Sequence, residues 1–260
     1  MISKSSPRSE SSQSRYCEYD VYARIYHENI GDRLSQRAIK PLSHLLFSTV
    51  PVPASLLDLC CGTGHLAADL CRRGYQVVGL DGSAEMLRYA RLNAPDVEFL
   101  LADARSFSLS QPVQAIISTS DSLNHILSLN ELQQVFQNVF NNLVPSGYFI
   151  FDFNLKERYQ ADTWNGSLTG SVTDDYAWAA GRLYQDGLGQ VHLTIFTAVQ
   201  DDLWRRTDQC LIGRSQTIPD LEDRLKKVGF TGIEWYDAQA DFDSHDWGPG
   251  KVYCRCQKPA

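Results

Sequence analysis

Three acidic residues and a pair of glycines stand at spacings that suit a nucleoside. The run Asp58-Leu59-Cys60-Cys61-Gly62-Thr63-Gly64 closes a short apolar segment and opens a helical one. Glycines at such a strand-to-helix turn let the backbone approach a ligand and leave free N–H groups at the helix N-terminus. Asp81 lies nineteen residues beyond Gly62 at the end of a second apolar run, where a carboxylate accepts two hydrogen bonds from a ribose diol. Asp103 follows a third run, in position to take the amino protons of an adenine. An adenosine laid across three neighbouring strand ends would meet all three carboxylates.

A second nucleotide site competes for the same residues. Gly62-Thr63-Gly64-His65-Leu66-Ala67 satisfies the G-x-G-x-x-A form of the dinucleotide fingerprint, with Asp81 as its ribose acid. Asp58 separates the two readings, because a carboxylate pointed into the turn repels a pyrophosphate and attracts a cationic aminoacyl group. Asp103 has no place in the dinucleotide scheme.

The elements that must position these residues follow from periodicity. Short apolar runs separated by glycine turns and helical patterns predict buried parallel strands at Leu56–Leu59, Gln76–Leu80, Val97–Leu101, Ala115–Ser118 and Tyr148–Phe153. Before them, apolar residues at helical spacing between Tyr16 and Val50 predict two helices, punctuated by Gly31 and Pro41, that can lie over the site as a lid. Leu132, Val135, Phe136, Val139, Phe140 and Leu143 form one helical stripe behind an Asn130 cap. After Asn154 the pattern alternates, with turns at Gly187–Gly189 and Asp201–Asp202, as expected of antiparallel β structure. A helix capped by Thr217 and ended by Gly229, then strands at Ile233–Tyr236 and Lys251–Gln257, complete the chain. The expected organisation is a disordered tail over 1–15, helices and an α/β core over 16–154, an inserted antiparallel segment over 155–215, and the last helix and two strands over 216–260.

Composition narrows the partners. With 260 residues, 43% apolar content and a formal charge of −7, the chain can fill a large core and has no basic excess to neutralise a phosphate backbone. Nucleic acid is not expected as a partner. Nor is a membrane, since no apolar stretch approaches the roughly 20 residues of a span. The seven cysteines show no paired zinc-ligand spacing and fit reduced thiols, so a cytoplasmic protein without a metal, monomer or homodimer, is expected.

The motifs together resemble one family. Leu56-Leu57-Asp58-Leu59-Cys60-Cys61-Gly62-Thr63-Gly64, Val77-Val78-Gly79-Leu80-Asp81-Gly82-Ser83 with Met86-Leu87, Ala102-Asp103-Ala104, Ile117-Ser118-Thr119-Ser120-Asp121-Ser122-Leu123-Asn124-His125 and Leu143-Val144-Pro145-Ser146-Gly147-Tyr148 are similar to the ordered motifs of class I S-adenosylmethionine-dependent methyltransferases. The later segment resembles their small-molecule N- and O-methyltransferase branch. The resemblance implies a Rossmann-like α/β fold, with a mostly parallel seven-stranded sheet, helices on both faces and the antiparallel insertion as acceptor cover. It implies S-adenosyl-L-methionine as cofactor, its aminoacyl end at Asp58, Gly62 and Gly64, its ribose at Asp81 and its adenine at Asp103. Gly82, Met86, Ala104, Ser118 and Tyr26 complete the expected cofactor wall. One departure is Cys60, which stands where the family's turn has its first glycine; as a small residue it is expected to adjust the pocket without abolishing binding.

The acceptor side is expected at the end of strands four and five. Asn124, His125, Asp152, Asn154, Trp178 and Arg214 are its candidates, with His125 as a general base, and Trp164, Tyr184 and Phe196 join Trp178 as a roof. Plainer roles stay open for each: capping for Asn154 and Asp152, a surface ion pair for Arg214, packing for Met86 and Tyr26. The function expected is methyl transfer to a small neutral or cationic molecule such as an amine, or to a hydroxyl. A non-catalytic cofactor-binding protein and an NAD-type oxidoreductase are the alternatives.

Overall fold

The computed structural model describes residues 17–200 and 202–260; the expected tail at 1–15, and Asp201 of the expected turn, lie outside the described residues. The chain opens with helices α1 (Cys17–Tyr26) and α2 (Asp32–Leu42), joined by a wider π-type turn over His27–Gly31 and followed by another over Ser43–Phe47. Helical backbone therefore runs unbroken through both expected breaks. Gly31 keeps helical dihedrals, φ −58° and ψ −46°. Its missing side chain serves a close approach, since a Cβ there would lie 2.8 Å from His65 Nδ1 and 2.9 Å from Thr63 Oγ1. Pro41 is buried inside α2, where its missing N–H leaves one intrahelical hydrogen bond unmade, and the widened turn follows two residues later.

The main sheet is built from β1 (Ser55–Leu59), β2 (Gln76–Asp81), β3 (Glu98–Leu101), β4 (Val113–Ser118), β5 (Leu143–Asn154), β10 (Thr231–Asp237) and β11 (Lys251–Gln257). Its order is β10-β11-β5-β4-β1-β2-β3. β11 runs antiparallel to both of its neighbours and the remaining pairs are parallel. Side chains alternate across it as the period of two demands. Leu56, Ile117 and Ile150 enter a core with Leu42, Leu45, Leu66 and Leu87 on one face. Leu57, Ile116 and Phe149 enter another with Leu132, Phe136, Leu221 and Leu225. The first face is covered by the N-terminal helices with α3 (His65–Arg72) and α4 (Ala84–Asn93), the second by α5 (Leu129–Asn141) and α7 (Ile218–Val228). Ser128, two residues earlier than expected, caps α5 by accepting the N–H of Asn130 at 3.3 Å.

Between β5 and α7 lie a short helix, α6 (Lys156–Gln160), and a second sheet of β6 (Leu168–Val172), β7 (Tyr176–Gln185), β8 (Leu188–Gln200) and β9 (Leu203–Arg214), antiparallel throughout. Ile25 of α1 is buried in a small core with Tyr176, Trp178, Leu193 and Ile195 of this sheet. The N-terminal helix thus spans from the inserted sheet to the main domain. Among the described residues no helix is long and apolar enough to cross a membrane.

Candidate functional site

The glycine turn leaves β1 in left-handed backbone: Cys60 has φ +62°, Gly62 +54° and Gly64 +74°. An L side chain in this region costs roughly 1–2 kcal/mol, so Cys60 holds strain at the point where the family pattern has glycine. Asp81 ties the turn to β2, its Oδ2 accepting the Gly62 N–H and its Oδ1 the Ser83 N–H, each at 2.9 Å. Asp58 is 2% exposed, and its Oδ2 has no hydrogen-bond partner among the described residues. Burial, with the Asp81 charge nearby, pushes its carboxyl up to about 7. The carboxyl borders a recess of about 30 Å³ shared with Tyr26, Cys60, Thr119 and Ser120.

Beside this recess, and sharing Tyr26 and Cys60 with it, opens a cavity of about 1210 Å³. At one end its wall is Gly62, Asp81, Gly82, Met86, Ala104 and Arg105; at the other it is Tyr159, Trp164, Trp178, Arg182, Val191 and Leu211 of the insertion. The inserted sheet therefore lies over the carboxyl ends of the main strands. Two polar bridges hold it there. Asn124 Nδ2 donates to the Asn154 and Arg214 carbonyls at 2.9 and 3.0 Å, and His125 Nδ1 bonds the Ile212 carbonyl at 2.9 Å.

Residues 56–147 match the model of a methyltransferase domain. A Bacillus subtilis (strain 168) protein provisionally named as a methyltransferase is 27% identical over 232 residues, 86% of this chain and 90% of its own length. A dTDP-3-amino-3,4,6-trideoxy-alpha-D-glucopyranose N,N-dimethyltransferase from Streptomyces venezuelae is 28% identical over 56% of this chain and 60% of its own. In fold, the chain is similar to a sugar N-methyltransferase from Streptoalloteichus, with a TM-score of 0.74, 16% identity and coverage of 100% of this chain and 99% of that one. The chain carries a methyltransferase domain and is similar to S-adenosylmethionine-dependent methyltransferases of class I.

In the methyltransferase, the expected cofactor residues fall into two groups. Tyr26, Cys60, Gly62, Asp81, Gly82, Met86 and Ala104 line the large cavity, and Asp58 the recess beside it. Gly64 serves packing, for a Cβ there would lie 2.9 Å from that of Ala90. Ser118 is fully buried and borders neither space. Asp103 is also absent from the wall: Arg105 donates from Nε to its carboxylate at 2.7 Å and from Nη1 to Glu131 Oε1 at 2.7 Å, so a guanidinium stands in the cavity where a carboxylate was expected.

The acceptor candidates are redistributed more strongly. His125, Asn154 and Trp178 line the cavity, whereas Asn124, Asp152 and Arg214 do not. Asn124 is spent on the bridge between core and insertion. Asp152 is buried, accepting the N–H groups of Ser120 and Asp121 at 2.7 and 2.6 Å and pairing with Lys251 Nζ at 2.9 Å. Arg214 is exposed and lends only its carbonyl. Of the aromatic roof, Phe196 is 37% exposed and Tyr184 stacks on Tyr159; neither reaches the cavity. Sequence reading missed Arg33, Arg37, Arg158 and Arg182, which do. No local signal marks them, because each is a cation in an ordinary amphipathic or alternating pattern.

The orphaned Asp58 Oδ2 and the amide-lined turn fit the aminoacyl end of the cofactor. A cationic amino group beside Asp58 favours its ionised form, whereas burial in the free protein pushes the carboxyl up to about 7 and favours the protonated form. Binding of the cofactor there is therefore expected to release a proton. Affinity for S-adenosylmethionine is expected to weaken by up to about tenfold per pH unit as pH falls from 7 to 5.5. Titration calorimetry in buffers of different ionisation enthalpy reads both effects, and a flat affinity over that range would remove Asp58 from the amino-group site.

Proposed function

We propose that this methyltransferase acts on a small organic acceptor, through an amine or hydroxyl group, held between the strand ends and the inserted sheet. The observation that carries this reading is the continuous cavity of about 1210 Å³. A site for one small ligand typically measures about 300–1,000 Å³, so this one has room for a nucleoside cofactor and a second molecule together. A protein that only bound the cofactor would have no use for the second half. When bound, S-adenosylmethionine supplies an electrophilic methyl group on a sulfonium.

The chain's own task is alignment and exclusion of water. Asp58 and the amides of the glycine turn hold the aminoacyl end, Asp81 the ribose, and Met86 and Ala104 the apolar face of the base. The inserted sheet and Tyr26 enclose the remainder. An in-line acceptor atom held at roughly 3–3.5 Å from its target gains most of the catalysis from positioning alone. The similarity to enzymes named for methylating amino sugars supports nitrogen as the acceptor atom.

Calorimetric titration with S-adenosylmethionine, S-adenosylhomocysteine and NAD, followed by an acceptor screen with labelled methyl, tests the assignment. Asp81→Ala is expected to weaken S-adenosylhomocysteine binding about 10- to 100-fold, because a hydrogen bond to a charged group contributes about 1.5–3 kcal/mol. The turn also loses the acceptor for its Gly62 N–H. Unchanged affinity in the variant would withdraw the ribose assignment, and displacement of S-adenosylhomocysteine by micromolar NAD would restore the dinucleotide reading.

A further inference from the structure

The acceptor half of the cavity is walled by four cations, of which Arg158 and Arg182 have no ion-pair partner among the described residues. Arg158 of α6 donates from Nη1 to Thr163 Oγ1 at 3.4 Å, and Arg182 of β7 donates from Nη1 to Thr169 Oγ1 at 3.1 Å. Both are half-buried. Neither has a carboxylate of the described residues within ion-pair distance, and most of the five N–H groups of each guanidinium are unused. Arg33 and Arg37 face the same space from α2, with Arg37 3.5 Å from Asp246. Against these four cations the wall of this half offers Asp121 and Asp246. Asp121 lies 3.7 Å from Lys251 Nζ.

The imbalance has a physical cost. Burial, together with the charges of Arg182 and Arg37, lowers the pKa of Arg158, with Asp121 offsetting part of it; burial and Arg33 do the same to Arg182. A chain of net charge −7 has carboxylates to spare, yet among the described residues places none within ion-pair distance of Arg158 or Arg182. A third donor completes the arrangement. The indole Nε1 of Trp178, a residue only 8% exposed, has no hydrogen-bond partner among the described residues and lines the same cavity. Planar forks and an indole N–H offer donors only, the complement of an oxyanion.

We propose that the methyl acceptor is an anion, a small molecule bearing a carboxylate or a phosphate, whose charged oxygens take N–H bonds from Arg158, Arg182 and Trp178. This rests on the methyl-transfer reading above and reverses the neutral or cationic acceptor expected from net charge. Net charge sums the whole surface, whereas the acceptor half of the cavity samples six charged side chains, Arg33, Arg37, Asp121, Arg158, Arg182 and Asp246. The anion neutralises the local excess and anchors the acceptor away from its reacting atom.

The test uses the full chain saturated with S-adenosylhomocysteine and titrated with inorganic pyrophosphate in one arm and malonate in the other. At least one anion is expected to bind and raise the melting temperature, and the arm that responds distinguishes phosphate from carboxylate. Arg158→Gln and Arg182→Gln are each expected to weaken that binding tenfold or more while S-adenosylhomocysteine affinity stays within twofold, which also reports that the variants fold. Trp178→Phe keeps the ring and removes the N–H, with a severalfold loss expected. Binding of neither anion to the parent protein, or unchanged binding in both arginine variants, overturns the proposal. Anion binding with no affinity for S-adenosylhomocysteine would instead sink the methyl-transfer reading and leave the anion site standing.

Discussion

Lys251→Met is expected to destabilise the protein by about 3–5 kcal/mol, the cost of leaving a buried carboxylate without its cation. Lys251 is fully buried on β11, its Nζ 2.9 Å from Asp152 Oδ1 and 4.7 Å from the centre of the Trp247 ring. Asp152 is equally buried, and its two oxygens also collect the N–H groups of Ser120 and Asp121. Those two residues sit at φ +63° and +53°, a conformation that non-glycine residues hold only when neighbours enforce it. The ion pair therefore stabilises the strained loop that leads from β4 to Asn124 and His125. For a chain of this size the loss corresponds to roughly 6–20 °C in Tm.

The same variant carries a pH signature. Burial raises the Asp152 carboxyl above its ordinary value and Lys251 opposes that rise, so removing the lysine raises it further. A carboxyl whose folded pKa exceeds its unfolded one stabilises the fold below the unfolded value and loses that contribution as pH rises through the folded value. The deficit of Lys251→Met is thus expected to be largest at neutral pH and to shrink toward pH 4. The double variant Asp152→Asn with Lys251→Met, which removes both charges, is expected to recover part of the loss. Urea titrations at pH 4.5 and 7.5 measure this, and a deficit below about 1 kcal/mol at both would show that the pair is not what holds the loop.

His125→Ala is expected to lower kcat by about 10²–10⁴-fold, the range of general-base catalysis, with cofactor affinity unchanged. A carbonyl cannot donate, so the bond to the Ile212 oxygen fixes the proton of the neutral ring on Nδ1. Nε2 is then the basic atom, with no hydrogen-bond partner among the described residues, on a ring that lines the cavity. The edge-on Tyr19 ring, 5.7 Å away, restricts the imidazole further. The loss should appear in kcat with little change in KM, and added imidazole should restore part of it. Turnover within threefold of the parent, once an acceptor is in hand, would reduce His125 to a bridge between β9 and the β4 loop.

The turn after β1, the parallel strands around it, and the places of Asp58 and Asp81 at the ends of β1 and β2 were legible because each depends on neighbours within about twenty residues. Alternation placed Leu56 and Leu57 on opposite faces of the sheet, and the cap and stop of α7 stood at Thr217 and Gly229 as read. Helix punctuation was less dependable. Gly31 resembles a break, yet its role is to let α1 and α2 approach Thr63 and His65, a contact that exists only after folding.

The polar residues after β4 and β5 show where local reading ends. Asn124, Asp152 and Asn154 carry the same sequence signal, short polar side chains at strand ends. Tertiary packing alone gives Asn124 the carbonyls of Asn154 and Arg214, thirty and ninety residues away, gives Asp152 the amine of Lys251, and leaves Asn154 to the cavity. Asp103 was likewise read as an open acid, until Arg105 closed over it. The sequence by itself determined the sheet, its glycine turn and the acids at the ends of the first two strands, because periodicity and glycine placement are properties of adjacent residues. Only the tertiary structure decided which charges face the acceptor, because a polar side chain's role depends on the partner that desolvation forces upon it, and those partners arrive from distant parts of the chain.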